Sequence, residues 1–182
     1  IGKDITMRDV QRTTAAYYGM VETVDGYIGQ ILHKLEEAGQ NLDDWIIVFT
    51  SDHGEMLGEH GIWAKHKFYE SSARVPLFIR WPAQYRPRRI TSNVNLCDLY
   101  ATLCQLCDIP IPAGLDSRSL SCLMAGKEED WDDESISQYL GEYLMIKKGN
   151  LKYQYYGPDM PRVLFDLASD PSETLNVIDS PQ

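Results

Sequence analysis

The 182-residue sequence predicts an α/β fold: part of a parallel or mixed sheet with flanking helices, followed by a small C-terminal antiparallel sheet with a helix. Three observations predict it. A long stretch with apolar residues at three- and four-residue steps leads, through a short polar turn, into an apolar run rich in β-branched residues, which is the αβ half of a crossover unit. That run stops abruptly at Ser51-Asp52-His53-Gly54. Open parallel sheets place their chemistry just beyond the carboxyl ends of their strands, where a carboxylate and an imidazole can both reach a metal ion or an anion. Further along the chain the pattern turns into short alternating runs separated by turn residues, the mark of antiparallel pairing.

The elements follow in order. From Thr6 to Ala38, Val10, Tyr17, Met20, Val21, Val24, Tyr27, Ile28, Ile31, Leu32 and Leu35 define one long amphipathic helix, with a bend expected near Gly19 or Gly26. Gly39 sits where a left-handed C-terminal cap belongs. Asn41 to Asp44 form a polar turn, and Trp45 to Thr50 read as a strand buried on both faces. Leu77 to Trp81 make a second strand, closed by Pro82, and Arg86-Pro87-Arg88-Arg89 is a solvated basic loop. Leu96 to Cys107 is a helix ended by Ile109-Pro110-Ile111-Pro112, and a short helix carries Leu120 and Leu123. Lys127 to Glu134 is acidic and exposed. Tyr143 to Lys147 and Lys152 to Tyr156 flank the turn Lys148-Gly149-Asn150-Leu151 as a hairpin. Leu164 to Leu167 is one more strand, and Ser169 to Thr174 opens a final helical turn.

Charge excludes one class of partner. With 17 Lys and Arg against 27 Asp and Glu the net charge is −10, whereas nucleic acid demands a basic footprint. A small anionic substrate stays admissible, because a cation or lysine inside a cleft overrides the net field locally. No apolar stretch reaches the length of a bilayer-spanning helix. Cys97, Cys104 and Cys107 follow the apolar pattern of their helix and are expected to be buried as small hydrophobes rather than to form a redox or zinc motif.

The most specific signal begins at Ser51. The string S-D-H-G-E-x-L-G-x-H-G-x-x-x-K-x-x-x-Y-E-x-x-x-R-V-P-L, ending at Leu77, resembles the C-terminal half of the sulfatase family, within the alkaline-phosphatase-like superfamily. L-F-D-L-x-x-D-P-x-E-x-x-N, from Leu164 to Asn176, resembles that family's closing signature. The D-H-G form is similar to that of choline-sulfatase-like and phosphonate monoester hydrolase-like members. The resemblance implies residues 1–126 as the C-terminal part of the catalytic α/β domain and residues 127–182 as a small antiparallel subdomain. It also implies a sulfuric ester hydrolase whose nucleophile, a formylglycine made from Cys or Ser in C-x-P-x-R or S-x-P-x-R, lies in the N-terminal half. None of Cys97, Cys104, Cys107 and Cys122 stands in that pattern. The chain is therefore expected to be the C-terminal part of a longer enzyme, inactive by itself and dependent on the missing N-terminal half. A short paralogue without the chemistry is the alternative.

The same resemblance assigns residues. Asp52 is the expected ligand of a divalent metal, calcium ahead of manganese or zinc, since hard cations take carboxylate oxygen. His53 stands where many members have Asn; it is a metal ligand, a donor to the anion or leaving oxygen, or a histidine packed under the loop, and imidazole shifts the preference towards manganese, iron or zinc. Lys65, twelve residues on, is the lysine expected to contact the sulfate and to stabilise the leaving oxygen. His60, with His66 and Lys67, is placed near enough in sequence to line the same cleft and shape substrate preference. Glu55 and Glu59 are acceptors behind the site or surface charges, and Arg74 with Glu70 is expected to be a buried structural pair. The substrate implied is a small sulfate ester, with phosphonate monoesters or phosphodiesters as the rival class and a non-catalytic domain as the reading from outside enzymology.

Overall fold

A computed structural model describes residues 5–180. The chain divides into two compact units between Pro87 and Arg88, inside the basic loop.

In the first unit, helix α1 spans Met7–Glu37. Thr6 caps it, its side-chain oxygen accepting from the Asp9 amide at 3.3 Å while Asp9 accepts from the Thr6 amide at 3.0 Å. This reciprocal pair satisfies two donors that the first helical turn leaves open. At the other end Gly39 takes a φ of +79° and Gln40 N–H reaches Leu35 O, so the helix stops where the glycine was expected to stop it. The expected bend does not interrupt the element: α1 is one helix through Gly19 and Gly26. Val10, Tyr17, Ile28, Leu32 and Leu35 are half-buried, whereas Met20, Val24, Tyr27 and Ile31 form a second, exposed apolar stripe at four- and three-residue steps.

A turn at Leu42–Asp44 leads into β1, Ile47–Thr50, and α2, Glu70–Ala73, precedes β2, Leu77–Arg80. These strands pair antiparallel, Ile47 opposite Arg80 and Thr50 opposite Leu77. The expectation that β1 is buried on both faces fails among the described residues. Its partner there is β2, and Phe49 and Phe78, opposite one another, are 39% and 64% exposed. The β-branched composition correctly signalled a strand, but composition alone cannot say which elements cover its faces.

The second unit holds α3 (Asp98–Leu106), α4 (Ser121–Met124) and a meander of β3 (Glu134–Tyr139), β4 (Tyr143–Lys148), β5 (Leu151–Tyr155) and β6 (Val163–Asp166), all antiparallel in that order. Asp98, fully buried, accepts from the amides of Asn95 at 2.8 Å and Arg118 at 2.9 Å. Asn93 reaches both Asp133 and Gly149, which fastens the segment before α3 to the β3 and β4 side of the sheet. These bonds tie the helices of this unit to its sheet.

Four local features depart from expectation. Strand β3 is an element the sequence reading does not anticipate: it begins at Glu134, where the acidic segment ends, and Ser135, Ser137 and Gln138 dilute its apolar alternation. Cys104 is buried as expected, but Cys97 and Cys107, the residues that cap the two ends of α3, are exposed; all four cysteines are free. Arg74 is 72% exposed with its nearest nitrogen 4.0 Å from Glu70, so the pair is not a buried one. The segment from Ser169 to Thr174 is a turn: the Asp170 carboxylate accepts from the amides of Thr174 and Leu175, both at 2.7 Å, and Glu173 adopts a φ of +53°.

That turn carries Glu173 into the core. Lys152 on β5 is fully buried and its ammonium lies 2.9 Å from the Glu173 carboxylate, with Gln154 beside them. Breaking such a pair leaves an uncompensated buried charge, so Lys152→Met is expected to lower unfolding free energy by about 3–5 kcal/mol. The double variant Lys152→Met/Glu173→Leu is expected to recover most of it. Equilibrium denaturation of the three proteins checks both statements, and a double variant as unstable as the single one would contradict them.

Candidate functional site

Strand β1 delivers the chain to its functional segment at Thr50, whose hydroxyl donates to Pro76 O at 2.9 Å and so ties the strand end to the residue before β2. Ser51 Oγ then donates to His53 O at 2.8 Å, closing a tight turn that sets Asp52 and His53 side by side. The Asp52 Oδ1 accepts from the His53 amide at 3.0 Å, leaving Oδ2 directed towards the imidazole, 3.4 Å from Nε2. Asp52 is 81% exposed at its side chain and His53 36%.

The tautomer of His53 follows from its neighbours. Nδ1 lies 2.7 Å from Gly54 O, an acceptor only, so Nδ1 carries the proton and donates. Nε2 is left as the basic nitrogen, the arrangement that prepares an imidazole to ligate or to accept. Lys65 Nζ sits 2.5 Å from that nitrogen. Asp52, His53 and Lys65, the three residues read as metal ligands and anion contact, therefore stand together on one loop surface. Loss of solvent pushes the Asp52 pKa up, but the field of His53 whenever its ring is protonated, the amide hydrogen bonds and the charge of Lys65 outweigh it, and the carboxyl lies below its ordinary value. It is an anion at neutral pH.

His60 stands differently. It stacks on Tyr69, ring centroids 3.9 Å apart and planes 11° from parallel, and its own φ is +53°. His66 is exposed and Lys67 half-buried. Two residues that sequence reasoning passed over build the frame. Gly54 N–H donates to Ser72 O at 2.8 Å, and a Cβ on Gly54 would lie 2.0 Å from Ser71 O. Ser72, buried at 4% exposure, donates its hydroxyl to Lys65 O at 3.0 Å. The glycine in S-D-H-G was a legible signal of close backbone approach; a serine inside a short helix carries no such mark.

One carboxylate and one imidazole suit a divalent cation as two ligands of a larger set. Among the described residues no group of three or more His, Cys, Asp or Glu assembles to complete one.

Comparison with known proteins places the chain in a family. Residues 2–109 match the Sulfatase family, and residues 58–182 match the C-terminal region of N-sulphoglucosamine sulphohydrolase. The chain belongs to the sulfatase family. It is 35% identical to choline-sulfatase of Rhizobium meliloti (strain 1021), over 98% of this chain and 36% of that protein. It is 34% identical to arylsulfatase K of Gallus gallus, over 96% of this chain and 35% of that protein. The phosphonate monoester hydrolase of Agrobacterium radiobacter superposes with a TM-score of 0.85 at 31% identity, covering 97% of this chain and 39% of that one. The expected alkaline-phosphatase-like fold is thereby confirmed, and the chain spans about a third of the length of the curated relatives it matches.

Because a Cβ at position 54 meets backbone, Gly54→Ala is expected to cost about 1–3 kcal/mol by forcing the loop off α2. Chemical denaturation of the variant measures it; an unchanged midpoint would show that the contact yields freely.

Proposed function

We propose that this chain is the C-terminal part of a sulfatase and forms one wall of its sulfate-ester site. The observation that carries the reading is the convergence of Asp52, His53 and Lys65 at the end of β1 in a member of this family. Residues 1–126 would belong to the catalytic α/β domain and 127–182 to a small subdomain. The N-terminal half would supply the formylglycine nucleophile and the remaining metal ligands, so this chain alone turns nothing over. The exposed apolar stripe of α1 and the uncovered Phe49 and Phe78 support that reading, since they are the surface such a half would cover.

Asp52 and His53 would hold a divalent cation, calcium first, with manganese or zinc favoured to the extent that Nε2 ligates. The bound cation would withdraw charge from a sulfate oxygen. Asp52 contributes an ionised oxygen, and the Nδ1–H bond to Gly54 O holds the imidazole so that Nε2 faces the same point. Lys65 brings a positive charge beside them, able to bind the sulfate and balance charge growing on the leaving alcohol oxygen. His60, on its Tyr69 platform, would contact the substrate outside the reacting centre.

A second reading is a phosphonate monoester or phosphodiester hydrolase, favoured by the superposition on the Agrobacterium radiobacter enzyme. Both chemistries need a tetrahedral anion held between a cation and a lysine, so sulfate esters assayed beside phosphonate and phosphate esters on the full-length enzyme separate them. In that enzyme Lys65→Ala is expected to lower kcat by about 100-fold or more, with poor leaving groups suffering more than p-nitrophenol. Near-normal turnover on both kinds of substrate would place Lys65 outside the anion site. Asp52→Asn is expected to lower metal occupancy and activity together, measured by elemental analysis on the same preparation; full occupancy would remove Asp52 from the ligand set.

A further inference from the structure

Lys65 follows a loop that should not hold its shape unaided. Leu57, Gly58, His60, Gly61 and Ala64 all have left-handed backbone, with φ of +47°, +92°, +53°, +70° and +67°. Three of the five carry side chains that disfavour this region. Strain of this kind persists only where surrounding contacts over-determine it. The conformation of Ala64 matters most, because it sets the direction in which Lys65 leaves the loop.

The contacts that fix Ala64 come from the residues just after His53. The Glu55 carboxylate, half-buried, accepts from Ala64 N–H at 2.6 Å and from Leu57 N–H at 3.3 Å through the same oxygen. Met56, completely buried, donates its amide to Ala64 O at 3.0 Å. Both ends of the loop are thereby closed onto the dipeptide Glu55-Met56. Beyond the closure Ser72 Oγ holds Lys65 O, and Ser72 O in turn holds the Gly54 amide. Lys65 is gripped on each side by the segment that carries His53, which is why its ammonium meets Nε2 across twelve residues of sequence.

We infer that Glu55 is a positioning residue: its carboxylate locks Ala64 in the left-handed conformation and so aims Lys65 at the site shared with Asp52 and His53. The inference rests on the proposed catalytic part of Lys65 for its effect on turnover, and on the loop geometry alone for its effect on structure. Released from Glu55, Ala64 would relax towards the right-handed region, rotate the following peptide and carry the ammonium away from Nε2. Displacement by about 1 Å is enough to cost up to 100-fold in rate. Glutamine preserves the accepting oxygen and should preserve the lock.

The experiment is a cycle in the full-length enzyme. Glu55→Ala is expected to lower kcat by about 10- to 100-fold with KM little changed, and Glu55→Gln to stay within about threefold of the parent. In a Lys65→Ala background Glu55→Ala should cost less than about twofold further, because residues acting through one group are not additive. Ser72→Ala, which removes the other grip on Lys65, should likewise lose its effect in that background and keeps the cycle readable should Glu55→Ala fold poorly. Hydrogen–deuterium exchange over residues 57–65 should accelerate in Glu55→Ala and not in Glu55→Gln. A Glu55→Ala penalty that persists undiminished without Lys65, or unchanged exchange in the loop, overturns the inference. A silent Lys65→Ala would instead overturn the catalytic reading of the lysine, with the exchange result still deciding whether Glu55 is the lock.

Discussion

The hydrogen bond from the Gly54 amide to the Ser72 carbonyl is the contact on which the functional segment depends. It draws the end of β1 against α2 so closely that no side chain fits at position 54. Everything chemical in the first unit hangs from that approach. The Gly54 carbonyl fixes the His53 tautomer, the Gly54 neighbour Glu55 closes the loop, and Ser72 grips the backbone of Lys65. Three charged or basic side chains are thus held together by backbone geometry rather than by their own attraction, which in an exposed setting is too weak to order them.

The second unit shows a different constraint. Its sheet core is not purely apolar: Lys152, Gln154 and Glu173 are buried together with Met145 and Phe165. Burial of this kind is tolerable only when every polar atom is paired, and among the described residues no buried side-chain nitrogen or oxygen lacks a partner. The turn that Asp170 builds delivers Glu173 to Lys152, and Asn176 accepts from the Leu164 amide and donates to Arg162 O, so the closing signature of the chain stitches the last strand into place. The polar residues of that signature each carry a structural bond, Asp166 accepting from the Ala168 amide at 3.0 Å and from the Ser169 hydroxyl at 2.9 Å.

Much of this was legible in the sequence, for identifiable reasons. The helix was readable because its apolar period runs unbroken from Val10 to Leu35 and ends in a glycine; the β4–β5 hairpin was readable from Lys148-Gly149-Asn150 between alternating runs. The grouping of Asp52, His53 and Lys65 came from a motif, not from periodicity. What stayed hidden was set by partners distant in sequence. Strand β3 exists because β4 and Asn95 supply its bonds, the latter through Ser135 and the Ile136 amide. Cys97 and Cys107 fall at the two caps of α3, outside the helical period that suggested their burial, and the contact made by Glu55 needed a carboxylate and an amide nine residues apart to be seen in space.

The central claim is that Asp52, His53 and Lys65 are one face of a cation and anion site completed by the rest of a sulfatase. A crystal structure of the full-length enzyme with a divalent cation and an unreactive sulfate-ester analogue tests it most directly. The account predicts an Asp52 oxygen and His53 Nε2 on the cation and Lys65 Nζ within about 3 Å of an oxygen of the bound anion. A cation coordinated elsewhere, with Asp52 and Lys65 turned to solvent and the analogue out of their reach, would contradict it.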